Sequence, residues 1–259
     1  SCAIYICGNI DDTTFNISTP GAYQPTIVGK EDAFLMKFDS TGHKIWGTFI
    51  GGDQNELAKA LTTDKNQNIY IAGKTDSHTG LSTPGAYQTY RRGLSDGFLS
   101  KFDSSGNLIL STYYGGNDYE EINDIAADDS GHIYCAGMSG CTYYFKDYIT
   151  TPGAQRSICE QREIFVVKFD SVGQRIGGTC VGGNNLDYNP RISYSVNNDL
   201  FLTGLSFSNN GLGALKINPS DHSFVARMSV DGALNWVSGL LSKDLFTGLF
   251  SSFSSTWAI

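Results

Sequence analysis

At 259 residues the chain is long enough to bury a sizeable core, and it combines only 17% charged side chains with 12% aromatics and 30 glycines. That balance suits many short strands joined by turns; helical bundles and disordered chains look different. A formal charge of −8 argues against phosphate-backbone binding and against docking on anionic lipid, and no apolar run approaches the roughly 18–20 residues of a membrane span.

The chain opens SCAIYICG, without Met and without the basic-then-apolar start of a signal peptide, which reads as a processed chain or an excised piece. Residues 2–8, CAIYICG, match residues 67–73, QNIYIAG, so the text enters partway through a repeating unit. A connection with STPGAYQ at residues 18–24 follows, and then residues 32–52, DAFLMKFDSTGHKIWGTFIGG. Two apolar runs around an Asp-to-Gly reversal predict a β-hairpin there.

The next unit is the best preserved. Residues 56–64 predict a first strand, a turn at 65–68 leads to a short strand at 69–73, and a connection over 74–95 repeats STPGAYQ. The hairpin at 97–114 completes it, and Gly115-Gly116 turn into the next unit. In the third unit the hairpin text returns as residues 163–183, EIFVVKFDSVGQRIGGTCVGG, after an irregular insertion. In the fourth it survives faintly at 222–238. The KFD lysines Lys37, Lys101 and Lys168 lie 64 and 67 apart, and the glycine pairs starting at Gly51, Gly115 and Gly182 keep the same steps.

A four-stranded antiparallel meander restarting at this period predicts an all-β fold, a β-propeller of four-stranded blades, with about four units forming one domain over residues 1–259. The units run approximately 1–52, 53–116, 117–183 and 184–242, and FTGLFSSF, within 243–259, is placed to supply a ring-closing strand. Alternation puts Phe34, Met36 and Phe38 on one face of a strand and Ala33, Leu35 and Lys37 on the other, so both faces are largely apolar, as a blade between neighbours requires. Lys37 and Asp39 are expected to form a local ion pair near the rim. Thr-Pro at 19–20, 83–84 and 151–152 predicts a capped single turn of helix, with Tyr23 and Tyr87 folding back over the blade's outer part.

STPGAYQ, DAFLMKFDSTG, TFIGG and NIYIAGKTDS, in this fixed order, closely resemble the bacterial β-propeller repeat known as the SBBP repeat. The resemblance covers residues 4–183 well and 184–240 weakly; the fourth unit lacks the glycine pair and TPGA. It implies a secreted or surface-exposed bacterial propeller, often a module of a longer multidomain protein, and it supplies no catalytic residues.

Chemistry is therefore sought in the loops. The turns DKNQN, DDSGH, DSTGH, DSSGN and DSVGQ read as Asp- and Gly-mediated reversals and lack the ligand spacing of a calcium loop. The longer connections on the opposite side are acidic at Asp53, Glu56, Asp118, Glu120 and Asp187, and bring in Tyr90, Arg91, Tyr143 and Tyr144. Carboxylates beside exposed aromatics suit a sugar, by stacking and hydroxyl hydrogen bonds, and loops on a rigid scaffold are where binding residues concentrate. Cys141 and Cys159 flank the insertion and are expected to close it with a disulfide. No metal-ligand spacing or cofactor motif is present in the text, and a Ser-His-Asp triad has no spacing support.

The expected function is a non-enzymatic extracellular or cell-surface binding or adhesion module contacting a glycan or protein through this loop face. Nucleic acid and membrane insertion are not expected; self-association through open blade edges is. A structural spacer or assembly unit, and a polysaccharide-active enzyme using the acidic loops, are the alternatives.

Overall fold

A computed structural model describes residues 3–11, 15–140, 148–159, 162–208 and 222–240. Within them lie fifteen β-strands, and none of the described residues is helical. Strands β1 (Ile4–Ile10), β2 (Asp32–Phe38) and β3 (Lys44–Ile50) form a three-stranded sheet. The second sheet comprises β4 (Glu56–Thr63), β5 (Ile69–Thr75), β6 (Asp96–Phe102) and β7 (Leu108–Tyr114). The third is β8 (Glu120–Ala127), β9 (Ile133–Ser139), β10 (Glu163–Phe169) and β11 (Arg175–Val181). The fourth is β12 (Asp187–Tyr194), β13 (Asp199–Ser206), β14 (Ser223–Ser229) and β15 (Leu234–Leu240). Every sheet is an antiparallel meander in chain order, the blade arrangement of a propeller.

Each interface between consecutive sheets is its own core. Ala33, Leu35 and Ile50 pack against Ile69, Ile71, Phe98 and Phe102 of the second sheet. Tyr70, Leu99 and Tyr114 then meet Cys135, Phe165 and Phe169 of the third. Ala136, Ile164 and Val166 meet Leu202, Phe224 and Ala226 of the fourth. Alternation along one strand thus feeds two different interfaces, and each fully buried Phe contributes roughly 1.5–3 kcal/mol. Among the described residues nothing comparable covers the outward face of the first sheet: Ile4 and Ile6 are 46% and 43% exposed, whereas their counterparts Ile69 and Ile71 are fully buried.

Three sequence expectations are corrected here. The Thr-Pro-Gly-Ala segments are turns and form no helix: Ala22, Ala86 and Ala154 donate their N–H to the carbonyls of Thr19, Thr83 and Thr151 at 3.0–3.1 Å. Gly21, Gly85 and Gly153 sit at φ of +81 to +83°, so Pro at the second position and Gly at the third make type II turns, which a helical start cannot accommodate. The same segments run along the outer strand of the first three blades, with Thr19 N–H on Gly47 O and Phe49 N–H on Gln24 O (both 3.0 Å), and so cover what would be an open edge.

Lys37 and Asp39 make no ion pair with each other. Lys37 Nζ donates to Ser104 O in the next blade (2.7 Å) and Lys101 Nζ to Ser171 O (3.1 Å), while Asp39 Oδ1 accepts the N–H groups of Thr41 and His43 in its own turn. Tyr23 and Tyr87 likewise reach forward, packing edge-on against Phe102 and Phe169 of the following sheet. The repeat's lysine and tyrosine are thus ties between blades.

The disulfide joins Cys159 to Cys180, with Cα atoms 5.4 Å apart, and the pairing expected between Cys141 and Cys159 is replaced. Cys180 N–H donates to Arg156 O, so the returning connection already lies on β11 and holds Cys159 beside it. Cys141, Tyr143, Tyr144 and the expected closing strand within 243–259 lie outside the described residues.

Candidate functional site

The acidic residues divide by burial into two groups that the sequence does not separate. Glu56, Glu120 and Asp187, expected to contact ligand, are 0–2% exposed. Glu56 accepts the Gly52 N–H (2.7 Å) and the Thr75 hydroxyl (2.6 Å); Glu120 accepts the Gly116 N–H (2.7 Å) and the Ser139 hydroxyl (3.1 Å); Asp187 accepts the Gly183 N–H (3.1 Å). Each is the first residue of a blade's inner strand and locks the glycine pair before it. Burial pushes the Glu56 and Asp187 carboxyls above their ordinary range, against the opposing pull of these hydrogen bonds. Contrary to the sequence expectation, these three carboxylates are not ligand contacts, because backbone and hydroxyl donors already bond them and solvent does not reach them.

A second buried acid starts the third strand of each of the first three blades. Asp32 and Asp96 accept Gln24 and Gln88 Nε2, both at 2.5 Å, plus two backbone N–H groups each. The Gln Oε1 atoms in turn accept Gly51 and Gly115 N–H. The last letter of STPGAYQ is therefore a clasp joining loop, strand and glycine turn. In the third blade both partners change: Arg156 stands for the glutamine and Glu163 for the aspartate, bonded at 2.6 Å.

What remains exposed is a smaller set on the second blade and its junction with the third. Asp53 Oδ1 accepts His78 N–H (3.0 Å), and the His78 ring lies 5.9 Å from that of Tyr90, which is half exposed. Arg91 donates its N–H to His78 O (3.2 Å) and its guanidinium to Gly93 O and Leu94 O, so it fixes the loop. Leu94 N–H on Asp118 O (2.8 Å) joins this loop to the next, where Tyr119 is 53% exposed. The structure thus brings Asp53 and Tyr90 together around His78 and ties Arg91 and Asp118 to the same loops. Composition had singled out neither His78 nor Tyr119, because a lone His and a Tyr beside two acids carry no spacing signal.

The innermost strands are stitched by polar groups. Lys59 Nζ and Asn123 Nδ2 both donate to Glu121 (2.7 and 2.8 Å), Arg191 donates to Asn123 O (3.0 Å), and Ile192 N–H to Asp124 (2.9 Å). Bulges at 58–60 and 122–124 turn Lys59 and Asn123 out of the ladder toward these partners. Burial alone would raise the Glu121 carboxyl, but the Lys59 and Asn123 bonds outweigh it and hold it low.

Among known proteins, residues 45–79 match the SBBP beta-propeller repeat. The chain is 22% identical over 247 residues to "Regulatory protein FlaEY" of Caulobacter vibrioides, covering 88% of this chain and 25% of that protein. It is 24% identical over 227 residues to "Uncharacterized WD repeat-containing protein L264" of Acanthamoeba polyphaga mimivirus, covering 74% and 16%. A crystal structure of a protein of unknown function from Dyadobacter fermentans shares the fold, with a TM-score of 0.51 and 10% identity over 92% of this chain and 65% of that one.

Proposed function

Having this SBBP-type β-propeller repeat at residues 45–79, the chain is, we propose, a non-enzymatic binding module of a secreted or surface protein, contacting a glycan through Asp53, His78, Tyr90, Asp118 and Tyr119. The observation that supports it is the pairing of half-exposed aromatic rings with carboxylate-bearing loops that hydrogen bonds hold in place. Aromatic faces stack on sugar rings, and rigid loops lose little entropy on binding. The Cys159–Cys180 disulfide supports an oxidising, extracellular setting. Against a hydrolase, Glu56, Glu120 and Asp187 are committed to internal hydrogen bonds.

A glycan array probed with the native chain and with Tyr90→Ala and Tyr119→Ala tests this. Binding to a defined glycan class, weakened at least tenfold by either substitution, is expected; a blank array, or binding that ignores both changes, refutes it. Exposed Ile4 and Ile6, on a sheet face buried in every comparable blade, favour a second role as an assembly unit whose open face meets another β-sheet. Sedimentation of the native chain against Ile4→Lys/Ile6→Lys reads that role directly.

A further inference from the structure

The three interfaces between consecutive blades repeat one another until the last. In the first, Trp46 packs over Gly106 of the neighbouring turn, and its indole N–H donates to Ser104 O (3.2 Å). In the second, Leu110 packs over Gly173 in the same way. The tyrosine of TPGAY completes each: Tyr23 on Phe102, Tyr87 on Phe169. In the third interface both side chains are missing, because Gly177 stands where Trp46 and Leu110 do and Gln155 stands for the tyrosine. Nothing closer than Thr179 Cγ2, at 3.6 Å, approaches a Cβ placed on the matching turn glycine, Gly232.

The space left is a cleft of about 550 Å³ between the third and fourth blades, against about 240 Å³ at the same place between the second and third. It lies in the range of small-molecule sites. Buried Tyr134, Val166 and Leu200 are among the residues that line it, alongside half-exposed Ile176. Lys168 lines it too. Lys37 and Lys101 spend their ammonium groups on a carbonyl of the next blade, but Lys168 keeps only the ring contact, 5.2 Å from the Tyr134 centroid, and finds no oxygen partner among the described residues.

We propose that this cleft binds a small aromatic carboxylic acid, with its ring in the space that Trp46 or Leu110 fills elsewhere and its carboxylate on Lys168. The ring replaces the apolar contacts that Gly177 and Gln155 gave up, against Val166, Leu200 and Ile176, in a lining that also carries Thr151, Thr179 and Asp231. The carboxylate supplies the acceptor that Lys168 lacks, in a charge-assisted hydrogen bond. The site is remote in the chain from Tyr90 and Tyr119 and does not depend on their role.

Calorimetric titration of the full chain with 3-(indol-3-yl)propanoate, its uncharged alcohol analogue, and a peptide ending in tryptophan tests the assignment. Saturable binding of the acid is expected, with the alcohol and the peptide weaker. Gly177→Leu should cut acid affinity at least tenfold and raise Tm, since a Cβ there meets nothing nearer than Lys168 Cβ at 3.8 Å; Gln155→Tyr serves as the independent filling variant. Lys168→Met should remove the preference for acid over alcohol. No saturable binding, binding untouched by both filling variants, equal loss of acid and alcohol in Lys168→Met, or tighter binding of the peptide would each overturn the proposal.

Discussion

Replacing Arg156 by Gln puts the residue of the first two blades into the third without its matching acid. Glu163 is fully buried and receives the Arg156 guanidinium at 2.6 Å, while Arg156 also donates to Gly182 O (3.0 Å) and Ile158 O (3.2 Å). Removing one partner of a buried ion pair costs about 3–5 kcal/mol, and Arg156, 22% exposed, lies near the lower end of that range. Glu163→Asp alone draws the carboxylate back by one methylene and is expected to cost about 1.5–2 kcal/mol, at the low end of the range for a charged hydrogen bond. Together the two changes rebuild the Gln24–Asp32 and Gln88–Asp96 clasp, in which the amide donates at 2.5 Å and its oxygen accepts the glycine N–H. The double variant should therefore lie within about 1 kcal/mol of the native chain, a coupling of at least about 3 kcal/mol. Urea denaturation of the four proteins followed by near-UV circular dichroism measures it. Strictly additive losses would refute the idea that glutamine and aspartate are exchanged for arginine and glutamate as a unit.

Cys180→Ser opens a loop whose ends are 21 residues apart, and loss of about 3 kcal/mol is expected from loop entropy, read as a lowered denaturation midpoint that reductant reproduces in the native chain. Gln67 holds φ at +63°, where the equivalent turn in the third blade has Gly131; Gln67→Gly should stabilise by about 1 kcal/mol, and a lower Tm would contradict that. Burial alone would raise the Asp128 carboxyl, but bonds from the His132 ring and N–H, the Tyr134 hydroxyl and Ser130 N–H outweigh it and hold it below its ordinary value. A lowered folded value means its stabilisation is complete above the unfolded carboxylate pKa of about 3.9 and is lost as pH falls through the folded one. Asp128→Asn should accordingly flatten the acid limb of stability below about pH 5, and an unchanged limb would remove Asp128 from the account.

The period, the strand order within a unit and the two-faced apolar alternation were readable from the text, because side-chain alternation and Asp–Gly turn chemistry act over a few residues. Leu35 and Phe98 could be assigned to opposite faces without coordinates. Partners across blades could not: nothing local says that Lys37 reaches Ser104, or that Gln88 closes on both Asp96 and Gly115. Burial of the acids was hidden for the same reason. Glu56 and Asp53 are three residues apart in one acidic loop, yet one is sealed beneath Gly52 and Thr75 and the other lies at the surface beside His78. Which carboxylate meets solvent is decided by the tertiary fold, since desolvation depends on neighbours that arrive from 19 and 25 residues away in the chain.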